Sequence, residues 1–237
     1  MSGHSKWSTI KRKKGAADAK RGIAFTRLSK DITFAAREGG GDADMNPALR
    51  LAVKKAKSSN MPAANIDRAI KKGTGELPGV VYEDYIYEGY GPNGVAIIIE
   101  VLSDNKNRTF PEIKSIMSKN GGNLGEQGCV NWMFEKKGII IIDGNIDEDV
   151  MLEIFDMDVD DIIQEDNYCE IITNPENFGL ISETLEQKNL DIEGQVSLVP
   201  KNTVEVSDED SHKVIKLLEL LDAQEDVQKV HSNFKIS

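Results

Sequence analysis

Cysteine and histidine are scarce in this sequence. Two cysteines, Cys129 and Cys169, and three histidines, His4, His212 and His231, are scattered over 237 residues. With no C-x-x-C spacing, they offer neither a disulfide framework nor a zinc site, and no metal or cofactor is expected. No nucleophile has a base beside it, so we expect a protein that is not an enzyme and takes no small-molecule substrate. Long apolar runs are missing as well. VAIII at 95–99 and IIII at 139–142 are strand-sized, far short of the ~20 residues that a membrane-spanning helix needs. The N-terminus lacks the apolar stretch of a secretory signal; being basic and acid-poor it leaves an organellar presequence as the second reading, behind a basic arm, because its spacing is Lys-rich and not regularly amphipathic. A cytoplasmic protein is expected, or one of the mitochondrial matrix if the chain is organellar.

Acid is absent from one place only. The opening MSGHSKWSTIKRKKG carries five fixed cations, and no Asp or Glu precedes Asp18, although the whole chain is at -11. Residues 1–76 hold 17 Lys and Arg against 7 Asp and Glu, a net +10. The rest holds 12 against 33, a net -21. So sharp a break marks a domain boundary and two electrostatic tasks.

Apolar spacing then divides the chain. Phe25, Leu28, Ile32 and Ala35 recur at helical intervals ahead of Gly39, while Lys20, Arg27, Lys30 and Arg37 occupy another arc. Asn46 followed by Pro47 reads as the start of a second helix, with Leu49, Val53 and Ala56 inward and Arg50, Lys54 and Lys57 on a different face. A third starts near Pro62, buries Ile66, Ala69 and Ile70, and stops at Gly73. Each needs the others to cover its stripe, which predicts a three-helix bundle behind a basic arm. Beyond it, 82–103 reads as a hairpin turning at Gly91 to Gly94. Thr109 to Glu112 fits a capping box opening a helix with Phe110, Ile113, Ile116 and Met117 inward. Strands are expected at 130–142, 168–173 and 192–199, near Thr203 to Val206 and near 227–234. Helices are expected at 147–157, 175–188 and 208–223. The predicted fold class is α+β: the helical domain with its arm (1–76), then two small sandwiches, one inserted in the other. The outer one is built from 77–129 and 201–237, and the inserted one, 130–200, is ferredoxin-like.

The motifs GHSKW, AAREGGGD, NMPAANIDRAIKKGTGE, YEGYGPNGVA, DNKNRT and GGNLGEQG occur in this order. Together they resemble the YebC family, densely over about the first 140 residues and loosely afterwards. Members of that family are described as bacterial transcriptional regulators and as translation factors or mitochondrial translational activators. The resemblance implies three domains, the first helical and the second interrupted. This chain departs from the pattern with Ser103 in place of Thr, Cys129 in place of Ser, and an acidic run over 156–168.

The residue types point to an anion as partner. In the arm, Lys6, Lys11, Arg12, Lys13 and Lys14 can each neutralise a phosphate, and Trp7 offers a face for a base. A merely solubilising role is a poor alternative, because the acidic body already secures solubility. Lys20, Arg21, Arg27, Lys30, Arg50, Lys54, Lys57 and Arg68 extend the expected nucleic-acid surface over the helices. A second anion position is Asn105, Asn107 and Arg108, where a cation at a helix start needs either Asp104 or a bound phosphate. The glycine-rich 121–128 lacks the ending of a phosphate loop and reads as structural. A one-ended basic grip with an aromatic suits irregular or single-stranded RNA, such as ribosomal RNA, ahead of duplex DNA. An interaction scaffold built on the acidic domains would leave the arm unexplained.

Overall fold

The computed structural model describes residues 21–78, 81–144, 146–165 and 168–236. Three helices come first: α1 (Arg21–Gly39), α2 (Pro47–Ser58) and α3 (Ala63–Thr74). Asn46 joins the first two. Its side-chain oxygen accepts from the Leu49 amide at 3.1 Å, capping α2, while its Nδ2 donates to the carbonyls of Ala35 and Gly40 at the end of α1. Leu28, Ile32, Leu49, Ala56, Ile66 and Ala69 form the shared core. Gly73 lets α3 lie directly on α1, where a Cβ would meet the Thr33 carbonyl oxygen at 2.4 Å.

A first sheet follows with β1 (Glu83–Tyr90), β2 (Ala96–Ser103), β3 (Asn123–Leu124) and, from far down the chain, β9 (Val227–Ser232). Its order is β3-β1-β2-β9, and every pairing is antiparallel. Helices α4 (Lys106–Lys119) and α7 (Asp208–Ala223) cover one face, packing Ile113, Met117, Leu217 and Leu221 on Ile97, Ile99 and Val101. Strands β8 (Val204–Val206) and β10 (Phe234–Ile236) make a small parallel pair beside it.

Between β3 and β8 the chain builds a second sheet, β4 (Phe134–Asp143), β5 (Val159–Glu165), β6 (Tyr168–Thr173) and β7 (Ile192–Pro200). Helices α5 (Glu148–Phe155) and α6 (Phe178–Gln187) complete a β-α-β-β-α-β succession with strand order β5-β6-β4-β7. Its core holds Ile140, Ile142, Ile154, Ile171, Phe178 and Ile181, and also Leu51 of α2, so the helical head is plugged into this unit by an apolar side chain. Ala96 and Ile98 on the outer side of β2 pack against Val130 and Phe134, joining the two sheets.

Four local expectations are corrected. Helix α4 starts a turn earlier than Thr109, because Asn105 is the N-cap and accepts from the Arg108 amide. Thr109 is instead turned into the core, and Phe110, expected inward, lies at the edge against Tyr87 with 38% of its surface exposed. Strand β5 falls inside the acidic run, where no strand was expected. Asp160, Asp161 and Glu165 obscure its alternation, and it is an edge strand, where charge discourages further pairing. The last strand divides at Asn233, whose side-chain oxygen takes the Ala96 amide at 2.8 Å and separates β9 from β10.

Candidate nucleic-acid interface

The cations of the head fall into two groups. Lys6, Trp7, Lys11, Arg12, Lys13, Lys14 and Lys20 lie outside the described residues, and Arg21 begins α1. Arg27 and Lys30 turn toward the body rather than outward. Lys30 Nζ donates to the carbonyls of Asp222 (2.7 Å) and Gln224 (2.9 Å), and Arg27 Nε lies 4.0 Å from the Asp222 carboxylate. They meet the C-terminal end of α7, where free carbonyls and the helix dipole favour cations. On α2, Arg50 faces Glu183 and Glu186 of α6 at 3.6 and 3.4 Å. Lys54 reaches Asp191 at 3.1 Å, and Lys55 reaches Glu193 at 2.6 Å. Arg37 pairs with Asp84, and Lys136 with Glu38 of α1. The row read from sequence as one outward face is therefore divided. The charge asymmetry of the chain fastens a basic head to an acidic body.

Lys57 and Arg68 remain exposed, with no ion pair to a described residue. Lys71 is paired with Asp67 on its own helix at 2.9 Å. Lys72 lies over the Tyr82 ring at 4.6 Å, and burial lowers its pKa. Lys106 lies 5.1 Å from the centre of the Tyr85 ring, which stacks on Tyr87.

Of the second expected anion position, Arg108 does meet an anion, but an internal one. Arg108 Nη2 bonds Asp104 at 3.0 Å and Asp226 at 2.8 Å. Asp226 is buried and also accepts from the hydroxyls of Thr109 (2.5 Å) and Ser103 (3.1 Å). Burial alone would raise its pKa. The bonds from Arg108 and Thr109 outweigh that and hold the carboxyl below the ordinary aspartate range. Asn105 is spent on the helix cap. Of the two anions left open for Arg108, the carboxylate is the one in place.

The glycine-rich loop is held in the same manner. The buried Glu88 carboxylate accepts from the amides of Gly128 (2.7 Å), Val130 (2.9 Å) and Asn131 (2.8 Å), so these donors already hold an anion. Next to it, Trp132 is 65% exposed, and its indole N–H and the Tyr90 hydroxyl both donate to the Cys129 carbonyl. Sequence reading missed Trp132, Lys55 and Glu88, since nothing local distinguishes them. It also missed the junction residues of β9. His231 is buried with Nε2 2.6 Å from Glu100 and Nδ1 3.5 Å from the Ser197 hydroxyl. Lys229 bonds Gln195 and lies 3.7 Å over the Phe34 ring, touching all three units. The serine contact is long, and both groups are buried, so the arrangement suits a joint rather than a nucleophile.

Two family models cover this architecture: the TACO1/YebC protein N-terminal domain over residues 5–76, and the TACO1/YebC second and third domain over 82–234. The chain belongs to the TACO1/YebC family. The resemblance carried by the six motifs is thereby established, together with the α+β fold of a helical head followed by sheet-containing domains. A probable transcriptional regulatory protein of Halothermothrix orenii is 53% identical over 242 residues, covering 100% of this chain and 96% of the relative. Another, from Geobacter sulfurreducens, is 49% identical and covers 100% and 97%. The crystal structure of a conserved hypothetical protein from Aquifex aeolicus matches with a TM-score of 0.79 at 43% identity, over 93% of this chain and 92% of that one. In the TACO1/YebC frame, the boundary between the two family models falls where the charge changes sign, and no described helix is long and apolar enough to cross a membrane.

Proposed function

We propose that this TACO1/YebC protein is a non-enzymatic, nucleic-acid-binding regulator of gene expression. It grips its target with the basic arm and the outer side of the head, in the cytoplasm, and its direct target is RNA on the ribosome. One observation carries the reading: a net +10 over residues 1–76 set against -21 over the remainder. A polyanion is attracted to one end and repelled by the rest, so binding is single-ended and steeply salt-dependent. Lys57 and Arg68 extend the arm's charge, while Arg27, Lys30, Arg50 and Lys54 are engaged with the body. Their contribution is secondary in the closed arrangement.

A second reading, DNA-binding control of transcription, is favoured by the names of the relatives, which are called probable transcriptional regulatory proteins. The two separate on one comparison at near-physiological salt: cosedimentation of the full chain with ribosomes against its retention by duplex DNA. In cells, depletion should move ribosome pausing while transcript levels hold, with runs of proline the first place to look. Altered transcript abundance with unchanged pausing would favour DNA. Removing residues 1–14 should flatten the plot of log affinity against log salt by about 3–5 units, at roughly 0.7–0.9 per phosphate contact. An unchanged slope would return the arm to a solvated tail.

A further inference from the structure

We propose that the acidic edge formed by Glu183, Glu186, Asp191 and Glu193 is an internal competitor for the cation row of α2, occupying the place of a nucleic-acid backbone until one displaces it. The proposal rests on the reading of the head as a polyanion grip and adds a regulatory contact to it.

Arg50, Lys54 and Lys55 are met in turn by carboxylates from two elements, α6 and the β7 region, at 2.6 to 3.6 Å. Carboxylates held in a row before a row of cations present the charge pattern of successive phosphates. The pairs are open to water. The side chains of Asp191 and Lys54 are 91% and 51% exposed, and those of Glu193 and Lys55 47% and 45%. Exposed pairs of this sort are individually weak and are screened by salt, so a more highly charged competitor can replace them. An approach exists, because a cleft of about 400 Å³ lined by Lys54, Glu186, Asn189, Leu190 and Asp191 opens beside the pairs. Lys57 continues the row of Arg50 and Lys54 one turn further on and is exposed without an ion pair to a described residue, giving an incoming backbone a first contact.

What stays still matters equally. Leu51, on the same helix, is buried in the core of the second sheet unit, so α2 keeps its seat while the long side chains of its cations change partner. The exchange therefore needs rotation of lysine and arginine side chains, not separation of the units. Its effect is a threshold: weak or sparse polyanions fail to displace the edge, while a continuous backbone that also engages the arm succeeds.

The test uses the full chain and a fluorescent oligouridine of about 20 nucleotides, with anisotropy read across a salt series. The edge variant E183Q/E186Q/D191N/E193Q should bind about tenfold tighter than wild type and steepen the salt slope by about two units, because in the wild type each of the three cations exchanges a carboxylate for a phosphate and adds little to the slope. A control variant, E148Q/D149N/D156N/E176Q, removes the same charge from carboxylates of the same unit with no ion pair to the head. It should change affinity less than about threefold and leave the slope alone. Adding R50Q/K54Q/K55Q to the edge variant should cancel the gain. Equal effects of the edge and control variants, or a gain that survives the added substitutions, overturns the proposal and leaves the polyanion grip standing. No binding of RNA or duplex DNA by wild type or either variant overturns both. D191N alone, at a 91% exposed side chain, keeps the test valid if the multiple variant folds poorly, and should give about a twofold gain with a matching rise in slope.

Discussion

Replacing Asp226 with Asn tests whether the Arg108 cluster is a structural anchor rather than a ligand site. The substitution keeps shape and one acceptor oxygen but removes the charge that Arg108, Thr109 and Ser103 share. Loss of a charge-assisted bond to a buried acceptor is worth about 1.5–3 kcal/mol. The Arg108 bond adds little to this, because its side chain is 46% exposed and water takes over its solvation. The buried Thr109 bond carries most of the remainder, so D226N should lower stability by about 2–3 kcal/mol at neutral pH. The dependence on pH has a definite sign. Since the folded carboxyl ionises below the ordinary range, its contribution is complete above the unfolded value of about 3.9 and is lost as pH falls through the folded one. The gap between wild type and D226N should hold from neutral pH down to the unfolded aspartate value and close as pH falls through the lower, folded one. Urea unfolding followed by tryptophan emission, in a W7F background so that Trp132 alone reports, measures it at each pH. A gap that persists unchanged at low pH would refute the assignment of the effect to the carboxylate charge. A gap under about 0.5 kcal/mol at neutral pH would refute the anchor itself.

Leu51→Ala should cost about 2–4 kcal/mol in the full chain yet little in an isolated head, because the side chain is buried in the second unit's core; equal losses in both would place Leu51 in the head's own core. Gly73→Ala should destabilise the head by about 1–3 kcal/mol, since the added methyl meets the Thr33 carbonyl, and thermal unfolding of the head that is unaltered would contradict that close approach. Glu88→Gln should release the loop at 125–131, raising amide exchange at Gly128, Val130 and Asn131 by at least about tenfold; unchanged protection would mean other contacts hold the loop.

Local chemistry was legible where a residue acts within its own turn. Asn46 and Pro47 announce α2, and the apolar spacing after Ser207 delimits α7 at 208–223. Where two residues compete for one role, position alone did not decide: both Asn105 and Thr109 can cap a helix, and the buried need of Asp226 for a hydroxyl draws Thr109 inward. The internal partners of the cation row were hidden for a different reason. Glu183, Glu186, Asp191 and Glu193 lie more than 130 residues along the chain in a region whose acidity reads as solvated surface. Nothing in the spacing of Arg50 and Lys54 tells whether the anion opposite belongs to another molecule or to the same one.

The return of β9 to the first sheet sets an order of assembly. Ile97 pairs with Ser232, so β2 cannot complete its pairing with β9 until synthesis has passed residue 232. The second sheet unit has no such wait. Its first and last strand residues, Phe134 and Pro200, are register partners, and folding it draws together the two ends of the stretch it occupies. That shortens the remaining loop by about half and lowers its closure cost by about 0.6 kcal/mol. Until α7 and β9 arrive, Ile97, Ile99 and Val101 lack part of their cover, which makes the β1–β2 hairpin the segment most exposed to mispairing during biogenesis. Substitutions in β9 should therefore slow the final step of folding, while those within β4 to β7 should alter an earlier one.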